Sequence, residues 1–348
     1  MDPISKNCEQ NEGEGQTLEK THQNFEEFLS TLPRDCGWTP HLDRYLYQGC
    51  WYNLFFLKGV IAAQRHFKAQ PTDIFLCSVP KSGTTWLKAL AFAIVTRKKY
   101  SDLSSHPLLS TMPHECIPFL EADFTNRTTT EFPLISTHIP YHSLPKSIIS
   151  SGCKIVYILR DPKDAFVSLW HFLRKLTPKG VTYISLQEAL DLFCKGISFN
   201  GPHWDHVISY WKARIEAPQR VLFLVYEKMR NDPLPSVKKL ADFIGYPFSL
   251  EEENGGCLQK IVDLCSFENL SNVDVNRKGK HRPGAPVAID NNAYFRNGTI
   301  GDWRSHLTPE MAERLDHITK EKFGGAGLPL YVSDMGRNTL DEAGVSLK

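Results

Sequence analysis

The chain carries almost no charge excess: 40 Lys and Arg stand against 39 Asp and Glu in 348 residues, for a formal net charge of +1. A dedicated nucleic-acid binder shows a pronounced basic surplus, so that class is excluded, while local basic clusters can still hold a small polyanion. Long apolar runs are missing as well. No stretch approaches the ~20 residues of a membrane-spanning helix, and the polar, acidic N-terminal segment has no signal-peptide core. The expectation is a cytoplasmic protein that engages neither membrane nor nucleic acid. The nine cysteines are odd in number and scattered, with no Cys-x-x-Cys pair. They fit reduced, mostly buried thiols rather than a disulfide framework or a metal site, so no metal is expected.

What is present is an alternation of apolar strands and helices. Residues 1–24 are polar and low in aliphatics and are expected to be disordered, residues 25–328 to form a single domain, and residues 329–348 to be an extension. Within the domain, Asp73 to Val79, Leu134 to Thr137, Lys154 to Leu159 and Val221 to Val225 read as buried strands. Helical sequence follows at Thr84 to Arg97, Asp164 to Leu176 and Pro235 to Ile244. This pattern predicts an α/β fold with a central parallel sheet flanked by helices on both faces, whose ligands bind beyond the carboxyl ends of the strands. Residues 270–292 are rich in Gly, Pro, Asn and charge and read as a long, mobile lid loop.

The candidate chemistry sits just after those strands. Pro80-Lys81-Ser82-Gly83-Thr84-Thr85-Trp86 joins a strand to a helix. A glycine turn exposes backbone N–H groups, the helix start adds positive charge, and Lys81 with three hydroxyls completes an anion site. It is not the phosphate loop of nucleoside triphosphatases, which ends in Gly-Lys-Ser/Thr with its hydroxyl on magnesium; here Lys81 comes first.

Four segments in register carry a family resemblance: PKSGTTW (Pro80 to Trp86), STHIPYHSLP (Ser136 to Pro145), YILRDPKDAFVSLWHF (Tyr157 to Phe172) and YFRNGTIGDW (Tyr294 to Trp303). Together they resemble the cytosolic sulfotransferases, and YEKMRNDPLPSVKKLADFIG with the early Gly37-Trp38 is similar to the plant branch, which includes flavonol and hydroxysteroid enzymes. The resemblance implies a phosphate-binding strand-loop-helix of sulfotransferase type. It also implies a metal-free sulfuryl donor, 3′-phosphoadenosine-5′-phosphosulfate (PAPS), and a small-molecule hydroxyl acceptor. By position, Lys81 would bind the phosphosulfate and Ser82, Gly83, Thr84 and Thr85 the 5′-phosphate. Trp86, Tyr226 and Phe267 would line the adenine site. Arg160, Ser168, Arg296, Asn297 and Gly298 would hold the 3′-phosphate, and His138 would be the general base. An unperturbed imidazole can accept an alcohol proton near neutral pH, and a phenol is an easier proton donor than an aliphatic alcohol. His142 is the rival base four residues on.

Three departures stand out. Asn297 occupies a place that is usually Lys in the signature RKGxxGDW, while the upstream Arg277-Lys278-Gly279 lacks the following GDW. Ser136 stands where many animal members carry Lys. The animal dimerisation pattern KxxxTVxxxE survives only as RSHLTPEMAE (Arg304 to Glu313), with Pro309 in place of Val, so the oligomeric state is left open. Candidate acceptor walls are Tyr45 to Phe56, Thr111 to Phe124 and the 270–292 segment. Their aromatics suit a flat phenolic such as a flavonoid; a steroid, a hydroxyjasmonate, a desulfoglucosinolate or a weakly active nucleotide binder are the alternatives.

Overall fold

The computed structural model describes residues 25–39, 42–123, 131–282 and 288–329. The disorder expected of residues 1–24 and nearly all of the C-terminal extension lie outside the described residues.

An antiparallel meander, β1 (Arg34–Asp35), β2 (Arg44–Tyr47) and β3 (Cys50–Asn53), precedes the central sheet of β4 (Ile74–Ser78), β5 (Leu134–Thr137), β6 (Lys154–Leu159) and β7 (Val221–Val225). The central order is β5-β4-β6-β7, and every pairing is parallel. All five residues of β4 are buried. Successive side chains leave a strand on opposite faces, so Phe75 and Cys77 join one apolar cluster with Ile155 and Tyr157, while Ile74 and Leu76 join a second with Val156 and Ile158. Burial on both faces explains why these strands read as continuous apolar runs instead of alternating ones.

The covering helices are α1 (Leu54–His66), α2 (Thr84–Thr96), α3 (Leu120–Asp123), α4 (Pro162–Leu176), α5 (His203–Glu216), α6 (Pro233–Ile244), α7 (Cys257–Leu264), α8 (Phe267–Asn272), α9 (Asp274–Lys278) and α10 (Pro309–Gly325). Residues of α1, α4, α5 and α10 fill the first cluster, and those of α2, α6 and α7 the second. Pro309, the residue that breaks the dimerisation pattern, is the first residue of α10, directly after the N-cap Thr308. Proline suits that place because its missing N–H has no intrahelical partner to lose.

Residues 270–292, read as a loop, are more ordered than their composition suggests. Their described part contains the end of α8, α9, and the short antiparallel pair β8 (Lys280–His281) and β9 (Ile289–Asp290); residues 283–287 lie outside the described residues. The asparagines that read as loop formers bond to the main chain. Buried Asn276 donates from Nδ2 to the Leu270 carbonyl at 2.8 Å, and Asn291 donates from Nδ2 to the Val275 carbonyl at 2.8 Å.

Gly59 sets how closely α1 approaches α3, since a Cβ added there would lie 1.8 Å from the Glu121 carbonyl oxygen. Gly59→Ala should therefore push the two helices apart and cost about 1–3 kcal/mol of stability, the usual range for overpacking. Thermal unfolding checks this, and an unchanged midpoint would show that the contact yields freely.

Candidate active site

The turn after β4 is built on two left-handed residues, Lys81 at φ 69° and Gly83 at φ 105°. For Lys81 that backbone costs on the order of 1 kcal/mol. Gly83 has a second reason to be glycine: a Cβ would meet Tyr226 at 2.8 Å and Ile158 at 2.9 Å. Such turns make concavities that receive anions, and α2 begins at Thr84, so its positive dipole end faces the same loop. The Lys81 ammonium lies 4.1 Å from the centroid of the Phe172 ring and 5.6 Å from that of Tyr294. Burial, and then Arg160, Arg296 and Lys175, push its pKa down to about 7.

Parallel register brings the other residues to the same end. Cys77 pairs with Thr137 and Ser78 with Ile158, so the residues that follow β4, β5 and β6 emerge side by side. His138, next after β5, donates from Nδ1 to the Ser78 carbonyl at 2.7 Å. A carbonyl only accepts, so Nδ1 carries the proton and Nε2 is left with its lone pair. The main-chain N–H of His138 donates to Glu121 Oε1 at 2.7 Å, and Thr137 Oγ1 donates to the other oxygen at 2.8 Å. The His138 carbonyl accepts from His206 Nε2 at 3.0 Å. Burial pushes the His138 pKa down to about 3; the Ser78 hydrogen bond opposes this, while His206, Lys88 and Lys81 reinforce it. His142 instead sits exposed, its Nε2 donating to the Gln48 carbonyl at 2.9 Å.

Arg160, at the end of β6, donates to the Lys81 carbonyl at 3.3 Å and to the Thr299 carbonyl at 3.1 Å, and lies 4.6 Å from the Tyr226 ring centroid. Its Nε is buried without a partner, as is Nε of Arg296. Asp164, in the first turn of α4, reaches beyond its neighbour Arg160. Its carboxylate accepts from the N–H of Gly301 at 2.7 Å and of Trp303 at 3.0 Å while facing Arg160 at 3.6 Å, so it ties the C-terminal signature to α4. Asp302 holds Arg296 at 2.5 Å and accepts from Asn297 Nδ2 at 2.8 Å. Asn297 is thus a neutral donor on a carboxylate already paired with a cation. Trp86 meets Tyr226 edge-on at 5.7 Å, and Gly298 lies so close to Phe267 that a Cβ would stand 2.5 Å from the ring.

These groups share one cavity of about 1040 Å³. Lys81, Gly83, Thr84, Thr85, Trp86, His138, Arg160, Ser168, Tyr226, Phe267, Arg296, Asn297 and Gly298 all line it; Ser82 does not, and its buried hydroxyl has no partner. Phe55, Phe56, His114, Phe119, Phe172, His281 and Tyr294 form a further, mostly aromatic part of the wall. Tyr52, by contrast, is core, as is Trp38. Arg277 and Lys278 of the decoy signature lie exposed against Asp274 and outside the cavity wall. Glu121, Asp164 and Asp302 are supporting carboxylates absent from the sequence reading: Glu121 and Asp164 hold main-chain N–H groups far along the chain, while Asp302 holds the side chains of Arg296 and Asn297 within its own signature.

The sulfotransferase domain model matches residues 71–327. The chain is 50% identical over 317 residues to Arabidopsis thaliana cytosolic sulfotransferase 16, covering 89% of this chain and 94% of that protein. It belongs to the sulfotransferase family. The Flaveria bidentis flavonol 3-sulfotransferase is likewise 50% identical over 312 residues, covering 88% of this chain and 100% of the relative. Among solved structures, a mouse sulfotransferase complexed with PAP aligns with a TM-score of 0.62 at 27% identity, covering 80% of this chain and 94% of that one. Among the described residues, no helix of this sulfotransferase is long and apolar enough to cross a membrane.

The sulfotransferase buries several neutral imidazoles, which makes its stability depend on pH. His203 and His206 are buried, and burial pushes their pKa values down to about 3 and about 4. In the unfolded chain both return to about 6.5, so below that pH unfolding takes up protons and stability falls as pH falls. Each should cost about 1.4 kcal/mol per pH unit between roughly pH 6 and 4. Denaturant unfolding at pH 7.5 and 5.0 reads this out; equal stability at both would contradict it.

Proposed function

We propose that this sulfotransferase moves the sulfuryl group of PAPS onto a phenolic hydroxyl of a small, flat acceptor such as a flavonoid, in the cytoplasm and without a metal. The observation that carries the reading is that Lys81, His138, Arg160 and Arg296 line a single cavity. Its orphaned donors fit a doubly phosphorylated nucleotide: Nε of Arg160 and of Arg296 is buried without a partner, and cationic forks of this kind suit phosphate. PAP bound to the mouse relative and the flavonol acceptor in the name of the Flaveria relative support donor and acceptor respectively.

In this reading Arg160, Ser168, Arg296, Asn297 and Gly298 receive the 3′-phosphate, and Ser82, Gly83, Thr84 and Thr85 contribute to the 5′-phosphate site. Ser82 does not line the cavity and its N–H donates to the Val79 carbonyl at 3.3 Å, so it contributes by shaping the turn. Trp86, Tyr226 and Phe267 enclose the adenine. PAPS supplies the electrophilic sulfur. His138 takes the acceptor proton at Nε2, and its protonated form is stabilised by its position against the Ser78 carbonyl and the anionic donor. Lys81, titrating near neutrality when no anion faces it, is held charged beside the phosphosulfate and compensates the charge on the departing bisphosphate. In-line displacement needs no covalent intermediate on the protein.

His138→Ala should lower transfer at least 100-fold while leaving PAP affinity within a few-fold of wild type; near-normal turnover would remove His138 from its role. Arg296→Ala should weaken PAP binding by roughly tenfold or more, as loss of a charge-assisted phosphate contact does. Calorimetric titration with PAP reads this, and an unchanged dissociation constant would move the 3′-phosphate site elsewhere. Labelled PAPS with a phenolic panel, with and without chelator, tests the metal-free reaction directly, and full inhibition by chelator would contradict it.

A further inference from the structure

Two histidines that the proposed mechanism does not use lie on the aromatic part of the cavity wall. His114 is 5% exposed; its Nε2 is bonded to Thr85 Oγ1 at 2.9 Å, and its Nδ1 is buried with no partner. His281, on β8, is 7% exposed, and its Nδ1 is also buried with no partner, the nearest carboxylate oxygen being Glu115 Oε1 at 3.9 Å. The two rings are 5.8 Å apart, and both pack against Tyr294, at 4.5 Å for His114 and 6.1 Å for His281. His114 and His138 both lie against Phe119, at 5.6 Å and 4.9 Å. The pair is therefore next to the reacting position and separate from it.

Buried polar atoms in folded proteins are nearly always hydrogen-bonded, and exceptions on a cavity wall point to a missing partner. We infer that His114 and His281 form an acceptor subsite for a second, neutral oxygen, a hydroxyl or a ketone, on the same planar molecule whose other hydroxyl is sulfated. This rests on the phenolic-acceptor reading above and narrows it to polyoxygenated aromatics. The nature of the pair selects against an anion. Burial pushes the His281 pKa down to about 4 and holds His114 well below its usual value, with Lys88 as a further cause for His114. Two neutral imidazoles offer hydrogen bonds without charge compensation. Thr85, whose one hydroxyl hydrogen goes to the 5′-phosphate, accepts from His114 Nε2 and leaves His114 Nδ1 an acceptor, while His281 donates or accepts according to its tautomer. A hydroxyl can thus bond to either ring and a ketone to His281. A site that hydrogen-bonds a substrate oxygen rejects an analogue lacking it, because its own polar groups are then left unpaired.

The test compares kcat/KM for a polyhydroxylated flavonol with that for 2-naphthol, which has one hydroxyl, on wild type, His281→Phe and His281→Gln. The ratio should fall about tenfold in His281→Phe, mainly through the flavonol KM, and be largely restored in His281→Gln, whose amide retains a donor and an acceptor. PAP titration confirms that each variant is folded; should His281→Phe fail to bind PAP, the ratio is read on His281→Ala. A ratio within twofold of wild type in the folded variant, or a Gln variant as impaired as the Phe variant, overturns the subsite alone. Wild type that sulfates neither compound overturns the phenolic reading and the subsite with it.

Discussion

The register of the central strand β4 against its two neighbours is the constraint on which the site depends. Thr137 ends β5 opposite Cys77, Ser78 ends β4 opposite Ile158, and Leu159 ends β6 one residue further, so the chain leaves three strands within a residue or two of one level. The turn at Lys81, the ring of His138 and the guanidinium of Arg160 need no long loops to meet. A slip of one residue in either pairing would turn every side chain of that strand to the other face. The alternating burial of β4 and β6 in two separate apolar clusters resists such a slip over the whole length of both strands.

On that frame the electrostatics are one-sided. Lys81, Arg160 and Arg296 converge on a cavity in which the nearby carboxylates, Asp164 and Asp302, are already engaged with main-chain N–H groups or with Arg296 and Asn297. Asp302 illustrates the balance: against the upward push of burial, hydrogen bonds from Arg296 and Asn297 hold its carboxyl below the usual range. Positive charge is thus left over; burial lowers the Lys81 pKa first, and Arg160 and Arg296 lower it further. A left-handed lysine and mutually repelling cations are costly in the free protein, and an anion removes the repulsion when it binds.

Much of this was legible in the sequence. The strands, the turn at Gly83 and the arginine after β6 are contiguous patterns whose physics is local, and the sheet rule then places them at one end. Legibility failed where the deciding partner lies far along the chain. Asp164 looks like a helix-surface carboxylate until Gly301 and Trp303, more than a hundred positions later, place their N–H groups on it. Glu121 in a four-residue helix carries no pattern at all, yet it fixes the main chain at His138. Segment 270–292 misled in the opposite direction: Asn276 and Asn291 look like loop residues by composition, but they spend their amides on main-chain carbonyls inside the fold.

Tyr294 faces Lys81 on one side and His114 on the other, and it stands two residues before Arg296. A single stretch of backbone therefore carries a wall of the proposed acceptor compartment and a proposed grip on the nucleotide. Any movement that tightens the grip must displace the wall. The two ends of the cavity thus share one short piece of chain.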